Sequence, residues 1–303
     1  MITNNCIVVG SGINALVCAA ILAIRGKKVC VLERNSRLGG CIRTEELTVP
    51  GFTHDVLSGW HPLFVSSPGY AVLKEQLEKY GLQYCNNDTP TAVVLPDDRS
   101  FILRRSREEN IRAMEALAIG DGERYRAEMG ALEASLDLTF TLLGSELWTP
   151  ATVKTFARAL WKMGPRALAA YFGQNLQNAR SWLETTFQAE ESRAVLAGWP
   201  THAGLGPDST ASAQMAKVMA FSMEAVGCPN VKGGSYQLVE AFRQLIEANG
   251  GTLQVGADVE RVLTEGGKAV GVRTADGVTH YADTAVICSM TPNQLYERLL
   301  TPA

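Results

Sequence analysis

The order of apolar and polar residues divides the first 40 positions into a strand, a helix and a second strand. The apolar residues 6–9 predict a buried strand, and the Ala-rich apolar segment that follows residue 12 predicts a helix. Residues 28–32 predict a second strand, which ends at Glu33. This order is typical of a βαβ unit with parallel strands, so we expect an α/β fold.

The middle of the chain has a different pattern. Residues 66–225 are predicted to be mainly helical, and a short β-like patch at 92–103, with a turn at 96–99, lies near their start. Helix breaks are predicted at Gly120-Asp121-Gly122, Thr149-Pro150, Gly164-Pro165 and Gly198-Trp199-Pro200. The α/β pattern returns over 226–303, with a helix at 236–249 and strands at 253–255 and 259–263. We therefore expect one domain built from 1–65 and 226–303, with 66–225 inserted into it.

The segment between the first strand and the helix carries a glycine motif, GSGINA, at residues 10–15. Gly10 permits a tight turn, Gly12 lets the backbone approach a pyrophosphate, and the small Ala15 lets the helix pack on the strand. The helix N-terminus offers N–H groups and the positive end of a dipole to phosphates. Glu33 is placed to accept hydrogen bonds from a ribose hydroxyl. The motif predicts an ADP-ribose site but does not distinguish NAD from FAD.

The residues that follow favour FAD. Glu33, Arg34, Arg37-Leu38-Gly39-Gly40 and Thr44 form the pattern E-R-(x)2-R-L-G-G-(x)3-T. It resembles the extended fingerprint of the FAD-dependent amine oxidase and phytoene desaturase superfamily. The resemblance implies a Rossmann-type, glutathione-reductase-like FAD-binding domain with an inserted, largely helical α+β substrate or cap domain.

The last third of the chain extends the resemblance. Residues 231–235 are similar to a Gly-Gly turn before a family helix, and 256–262 with 269–277 are similar to the family's strand and hairpin. Residues 282–288 resemble the strand that re-enters the nucleotide sheet. Motif and resemblance together assign to FAD the residues Gly10, Ser11, Gly12, Ile13, Asn14, Ala15, Glu33, Arg34, Arg37, Gly39, Gly40, Cys41, Ser58, Gly59, Trp60, Val259, Cys288 and Ser289.

The family normally continues beyond this strand, through more substrate domain, to a Gly-rich segment that faces the flavin ring. The present sequence ends at residue 303 without such a segment. The chain is then either one piece of a cleaved or split enzyme or an unusually reduced member of the family. Of these, we expect the first, with a second polypeptide that carries the remaining C-terminal part.

Candidate catalytic residues are few. Asp55, Trp60 and His61 lie where relatives pass the isoalloxazine ring, so His61 could carry a proton and Trp60 could form a pocket wall. The alternative is that His61 is simply a hydrogen-bonded histidine in a loop. The same two interpretations, catalytic or structural, apply to Asp55. The four histidines have no paired spacing, so no metal site is predicted.

The composition limits which binding partners and which cellular compartment we expect for this chain. A formal charge of −3, with 19% charged and 46% hydrophobic residues, argues against nucleic acid as a general ligand. The seven cysteines include no C-x-x-C pair, and we expect them to be reduced in a cytoplasmic protein. No signal peptide or membrane-spanning segment is predicted.

Residues 151–180 contain basic but no acidic side chains. Lys154, Arg158, Lys162 and Arg166 recur every four residues, whereas Val153, Phe156, Leu160 and Met163 are predicted to form an apolar face. These four basic residues form a stripe that could rest on a membrane surface. Alternatively, the stripe could be a solvated helix face, or it could contact an acidic partner chain.

Two classes of function follow from the resemblance. The first is an FAD-dependent oxidoreductase, of the dehydrogenase, desaturase or oxidase type, that takes a hydride equivalent from an apolar or amphipathic substrate. A flavin amine oxidase is the alternative within this class. The second class is a non-catalytic protein that binds a lipidated partner on the same scaffold, as Rab GDP-dissociation inhibitors do. The intact glycines and Glu33 favour the enzyme.

Overall fold

The computed structural model describes residues 2–300 and contains two compact units. The first unit runs to Asn86 and resumes at Pro229, and the second is Asn87–Cys228. The strands are β1 (Ile2–Val9), β2 (Val29–Leu32), β3 (Thr44–Glu46), β4 (Thr53–Asp55), β5 (Tyr84–Cys85), β6 (Thr91–Val94), β7 (Ser100–Leu103), β8 (Asn230–Val231), β9 (Thr252–Gln254), β10 (Val259–Glu265), β11 (Lys268–Thr274) and β12 (Thr279–Cys288).

The helices complete the two units. They are α1 (Ile13–Ile24), α2 (Pro62–Val65), α3 (Pro68–Lys79), α4 (Arg107–Leu117), α5 (Asp121–Ala134), α6 (Leu136–Gly144), α7 (Pro150–Asn175), α8 (Ala179–Thr186), α9 (Glu190–Ala197), α10 (Ser212–Val226) and α11 (Tyr236–Ala248). A 3₁₀ helix spans Trp199–Ala203, and a π-helical segment spans Gln294–Leu299. In residues 2–300 no helix is both long and apolar enough to cross a bilayer.

A six-stranded sheet organises the first unit. Its order is β10-β11-β12-β1-β2-β9, in which β12, β1, β2 and β9 are parallel and β10 and β11 are antiparallel additions. Val8 pairs with Val31 on one side and with Ile287 on the other. The chain therefore returns to the N-terminal strand after the inserted unit. The predicted α/β, Rossmann-type fold is confirmed.

The main core lies where α1 and α11 pack on one face of this sheet. The alanines of α1 at 15, 19, 20 and 23 are buried, and their small side chains bring the helix close to the strands. The predicted apolar face of α11 is also buried, namely Leu238, Val239, Phe242, Leu245 and Ile246. The periodicity that predicted this helix therefore identifies its buried face correctly.

The boundary of the inserted unit differs from the sequence prediction. Residues 66–86 belong to the first unit, whereas the sequence placed the boundary near 65. Leu73 and Leu77 of α3, together with Leu82, are fully buried in the same core as Phe242. At the edge of the insertion, β5 pairs with β8, with Tyr84 opposite Val231 and Cys85 opposite Asn230.

The second unit is helical apart from the hairpin of β6 and β7, which confirms the predicted β-like patch. All four predicted helix breaks are present, because new helical segments begin at or near each of them. Within α7 the break is at Gly164, whose φ of 79° and ψ of 162° are not helical, and Pro165 follows. A buried carboxylate, Glu224, accepts hydrogen bonds from Arg107, Asn110 and Tyr125 and thereby joins α10 to α4 and α5.

Gly234 precedes α11 at a site where a side chain has no room. Its φ is 98°, and an added Cβ would lie 2.6 Å from Thr44 Oγ1. We expect Gly234→Ala to lower the free energy of unfolding by about 3 kcal/mol, since strain and overpacking add. In the matched control, Gly266→Ala, φ is also positive but nothing lies within 4 Å, so a loss of about 1 kcal/mol is expected. Denaturant melts of both variants measure the difference, and equal losses would contradict the close contact.

Candidate functional site

The glycine motif forms a turn at the carboxyl ends of β1 and β12. Gly10 has a φ of 95°, and a Cβ there would lie 3.0 Å from the Ser289 carbonyl oxygen. Ser289 in turn donates its N–H to the Val9 carbonyl at 3.0 Å. Gly12 stands at the N-cap of α1, and a Cβ added to it would meet nothing within 4 Å. The backbone at Gly12 therefore faces open space beside the helix N-terminus, where a phosphate group is best accommodated.

Glu33 is buried at the end of β2, with 5% of its surface exposed, and both of its carboxylate oxygens are engaged. Oε2 accepts from the Ser11 N–H at 3.0 Å and from Ser11 Oγ at 2.6 Å. Oε1 accepts from the Asn35 N–H at 2.9 Å and from Asn35 Nδ2 at 2.7 Å. These four bonds fix the carboxylate in place. Asn35, which lies two residues beyond the motif acid, was not predicted from the sequence.

A second glycine turn lies directly against the first. Gly39 donates its N–H to Ser11 Oγ at 3.1 Å and has a φ of 104°. Gly40 has a φ of 60°, and a Cβ there would lie 3.2 Å from the Gly12 Cα. Any side chain at position 40 would therefore press on the backbone at Gly12. This close packing of the two turns explains why a glycine is needed at position 40.

These turns border a cavity of about 330 Å³. Gly10, Ser11, Gly12, Glu33, Arg34, Gly40, Val259 and Ser289 were all predicted from the sequence, and all line it. The loop before β10 is held against the Glu33 turn, because Ala257 donates its N–H to the Glu33 carbonyl and Gly256 donates to that of Asn35, both at 2.9 Å.

The segment after β12 also lines the cavity. Met290, Gln294, Arg298 and Leu299 line it, and Arg298 donates to Asp258 Oδ2 at 2.7 Å. Arg298 thus ties the π-helical segment to the start of β10. Arg298 was not predicted as a site residue because no motif surrounds it.

Arg37 lines a second, polar cavity of about 690 Å³, which shares Asn35 and Gly40 with the first. Its guanidinium lies 3.3 Å from Glu45, and that of Arg43 lies 3.8 Å from the same carboxylate. The other predicted FAD residues do not line these two cavities: Ile13, Asn14, Ala15, Gly39, Cys41, Ser58, Gly59, Trp60 and Cys288. Among them, Cys288 ends β12 opposite Val9, and burial raises the pKa of its thiol.

His61 has partners at both ring nitrogens. Ser58 Oγ lies 3.0 Å from Nε2, and the Tyr84 hydroxyl lies 3.2 Å from Nδ1. The ring is buried, and burial lowers its pKa although Asp55 acts in the opposite direction. Burial also raises the pKa of Tyr84. These contacts favour the alternative that His61 is a hydrogen-bonded loop histidine.

Asp55 is likewise committed to hydrogen bonds. Its Oδ1 accepts from Thr44 Oγ1 at 2.6 Å, from Ser235 Oγ at 2.7 Å and from the Ser235 N–H at 2.8 Å. Thr44 Oγ1 accepts from the N–H of Tyr236, the first residue of α11, at 3.0 Å. Asp55 therefore joins the β3–β4 hairpin to the start of α11. In the described residues no group of three or more metal-binding side chains comes together.

The fold and the paired glycine turns define a dinucleotide-binding protein, and comparison with known proteins identifies its family. The model of the flavin containing amine oxidoreductases matches residues 16–303, and the chain belongs to this family. FAD is therefore the cofactor that the glycine turns and Glu33 would bind. These elements fit it, since the open backbone at Gly12 and the fixed carboxylate suit a phosphate and a ribose.

Curated relatives include desaturases and dehydrogenases. The chain is 30% identical, over 98% of its own length and 55% of the relative's, to a zeta-carotene-forming phytoene desaturase of Myxococcus xanthus. It is 25% identical, over 89% of its length and 47% of the relative's, to a limonene dehydrogenase subunit of Castellaniella defragrans. The chain thus spans about half the length of these relatives.

Solved structures share the fold. An oxidoreductase from Methanosarcina mazei superposes with a TM-score of 0.62 at 18% identity. The superposition covers 98% of this chain and 61% of that one.

The open space at Gly12 allows binding to be separated from folding. We expect Gly12→Ala to leave the free energy of unfolding unchanged or raise it by up to about 1 kcal/mol, because the backbone there suits alanine. The added methyl group would project into the space for phosphate, so the affinity for FAD should fall at least about tenfold, or about 1.4 kcal/mol. Titration with FAD followed by flavin fluorescence measures this. Gly130→Ala, where a Cβ also meets nothing, is the control. Unchanged affinity in Gly12→Ala would contradict the assignment.

The buried His61 predicts a pH dependence of stability. Its pKa is lowered in the folded chain, so the unfolded chain binds a proton more readily. The stability that neutral His61 provides is therefore present above its unfolded pKa of about 6.5 and is lost as the pH falls below that value. We expect wild type to be more stable than His61→Gln at neutral pH, and the difference to shrink at about pH 5. Denaturant melts across this range test it, and a constant difference would contradict it.

Proposed function

We propose that this chain is the dinucleotide-binding portion of an FAD-dependent oxidoreductase that takes a hydride equivalent from an apolar or amphipathic organic substrate. The observation that carries the proposal is the intact cradle, in which Ser11 joins Glu33 to both glycine turns. A scaffold that never bound the cofactor would not need a glycine at position 12, where an added Cβ would meet no protein atom within 4 Å and would only fill the open space beside the helix N-terminus.

The chain's own residues hold and orient the cofactor. Glu33, which Ser11 and Asn35 hold in place, would be the acceptor for a hydroxyl of the adenosine ribose, and the N-terminus of α1 would receive the pyrophosphate. Asp55 and His61 are positioning residues, because their hydrogen bonds hold the β3–β4 hairpin and the loop after it. When bound, FAD supplies a ring that accepts the hydride equivalent.

The substrate class rests on the names of the relatives. One is a phytoene desaturase and another is a limonene dehydrogenase subunit, and phytoene and limonene are hydrocarbons. These names favour dehydrogenation at carbon–carbon bonds of a largely apolar molecule. The description of the family as amine oxidoreductases supports the alternative, oxidation of an amine.

We also propose that a second polypeptide completes the active site. The chain covers about half of the length of these two relatives, and one of them is itself named as a subunit. We also propose a reducing, cytoplasmic location, since the seven cysteines include no C-x-x-C pair. No nucleic-acid partner is proposed, given the net charge of −3.

Isolation of the chain from its own cells tests both parts. Native mass spectrometry should show FAD and a second polypeptide bound to this chain. Under anaerobic conditions, a polyene hydrocarbon in detergent should bleach the visible flavin absorbance, whereas putrescine should not. Bleaching by the amine alone would support the amine oxidase instead. Bound FAD that neither compound reduces would favour a non-catalytic binding protein, and a single active chain would exclude the second polypeptide.

A further inference from the structure

One face of the inserted unit is both apolar and exposed. In the first half of α7, Val153, Ala157, Leu160 and Trp161 recur at the spacing of one helix face. Their exposed fractions include 64% at Val153, 47% at Leu160 and 85% at Trp161. Trp148, just before the helix, is 92% exposed. We call Trp148, Val153, Ala157, Leu160 and Trp161 the apolar strip.

The strip is not the face that attaches the helix to its unit. Thr152 is buried, and Phe156 stacks on Phe172 in the second half of α7, with ring centroids 6.2 Å apart. Phe156 and Met163 were predicted to share one face with Val153 and Leu160. The structure separates Phe156 from this face, since Phe156 is partly buried whereas Val153, Leu160 and Met163 are exposed.

Basic side chains border the strip along the helix. Lys154, Arg158 and Lys162 are all exposed, and each follows a member of the strip in the sequence. Residues 151–180 contain no acidic residue. Asp137 of α6 lies 3.9 Å from Arg158, but 75% of its side chain is exposed, so this pair neutralises little.

We infer that this face of α7 docks on an anionic lipid surface. A helix with an apolar face flanked by Lys and Arg lies well at such a surface, and tryptophan favours the depth of the lipid headgroups. The positive border complements anionic headgroups, and the strip supplies the apolar contact. Large exposed apolar patches on soluble proteins generally mark interaction sites. The inference uses only residues of the second unit and does not depend on the proposed chemistry.

Vesicle sedimentation tests the inference with the 303-residue chain. We expect binding to phosphatidylcholine vesicles that contain phosphatidylglycerol, weaker binding to phosphatidylcholine alone, and a loss of binding at high salt. The triple variant Lys154→Gln, Arg158→Gln, Lys162→Gln should bind anionic vesicles about 100-fold more weakly, at about fivefold per charge. Trp161→Ser should also weaken binding and reduce the blue shift of tryptophan fluorescence.

A matched triple variant controls for net charge. Arg25→Gln, Lys27→Gln and Lys28→Gln remove three exposed basic side chains from the first unit. This control should bind like wild type, and circular dichroism should show that both triple variants are folded. Equal losses in the two triple variants, or no binding by wild type, would overturn the inference. Vesicle binding that survives in both the α7 triple variant and Trp161→Ser would overturn it as well.

Discussion

The nucleotide site depends on the side chain of Ser11. Its hydroxyl donates to Glu33 and accepts from the Gly39 N–H, so one oxygen connects the end of β1, the end of β2 and the second glycine turn. The Ser11 N–H adds a further bond to the same carboxylate. Because these bonds are buried, they are strong and depend on geometry. Without them, Glu33 would lose its orientation and Gly40 its close position beside Gly12.

A second set of hydrogen bonds, which are partly buried, supports this arrangement. Asp55 holds Thr44 and Ser235, and through them it holds the start of α11, the helix whose apolar face fills the core beneath the sheet. The hairpin that follows the glycine turns is thus secured to the helix that follows the inserted unit. Hydrogen bonds therefore join residues 44–55 to residues 235–236, which lie far apart in the chain.

The sequence predicted the local features well because each rests on neighbouring residues. The βαβ unit, the glycine turns, the face of α11 and the break before Pro165 all follow from spacing or from backbone geometry. The sequence did not predict the bond of Arg298 to Asp258 or the role of Asp55, because these depend on contacts between distant segments. Asn35 bonds its near neighbour Glu33, but it was not predicted because it stands at a position that the motif leaves unspecified. The same limit explains the boundary near 65, since only the folded core shows that α3 packs with α11. Periodicity alone also could not decide which apolar residues of α7 face outward.

The short ladder of β5 and β8 has a consequence for the evolution of this architecture. Its paired residues bring the chain's exit to the second unit beside its return. In the order of the chain, the whole second unit therefore takes the place of a hairpin loop between β5 and β8. Such a connection lets an insertion change in size, sequence or binding preference while the strands on either side keep their register. The nucleotide unit can thus remain constant while the insertion diverges to suit different ligands.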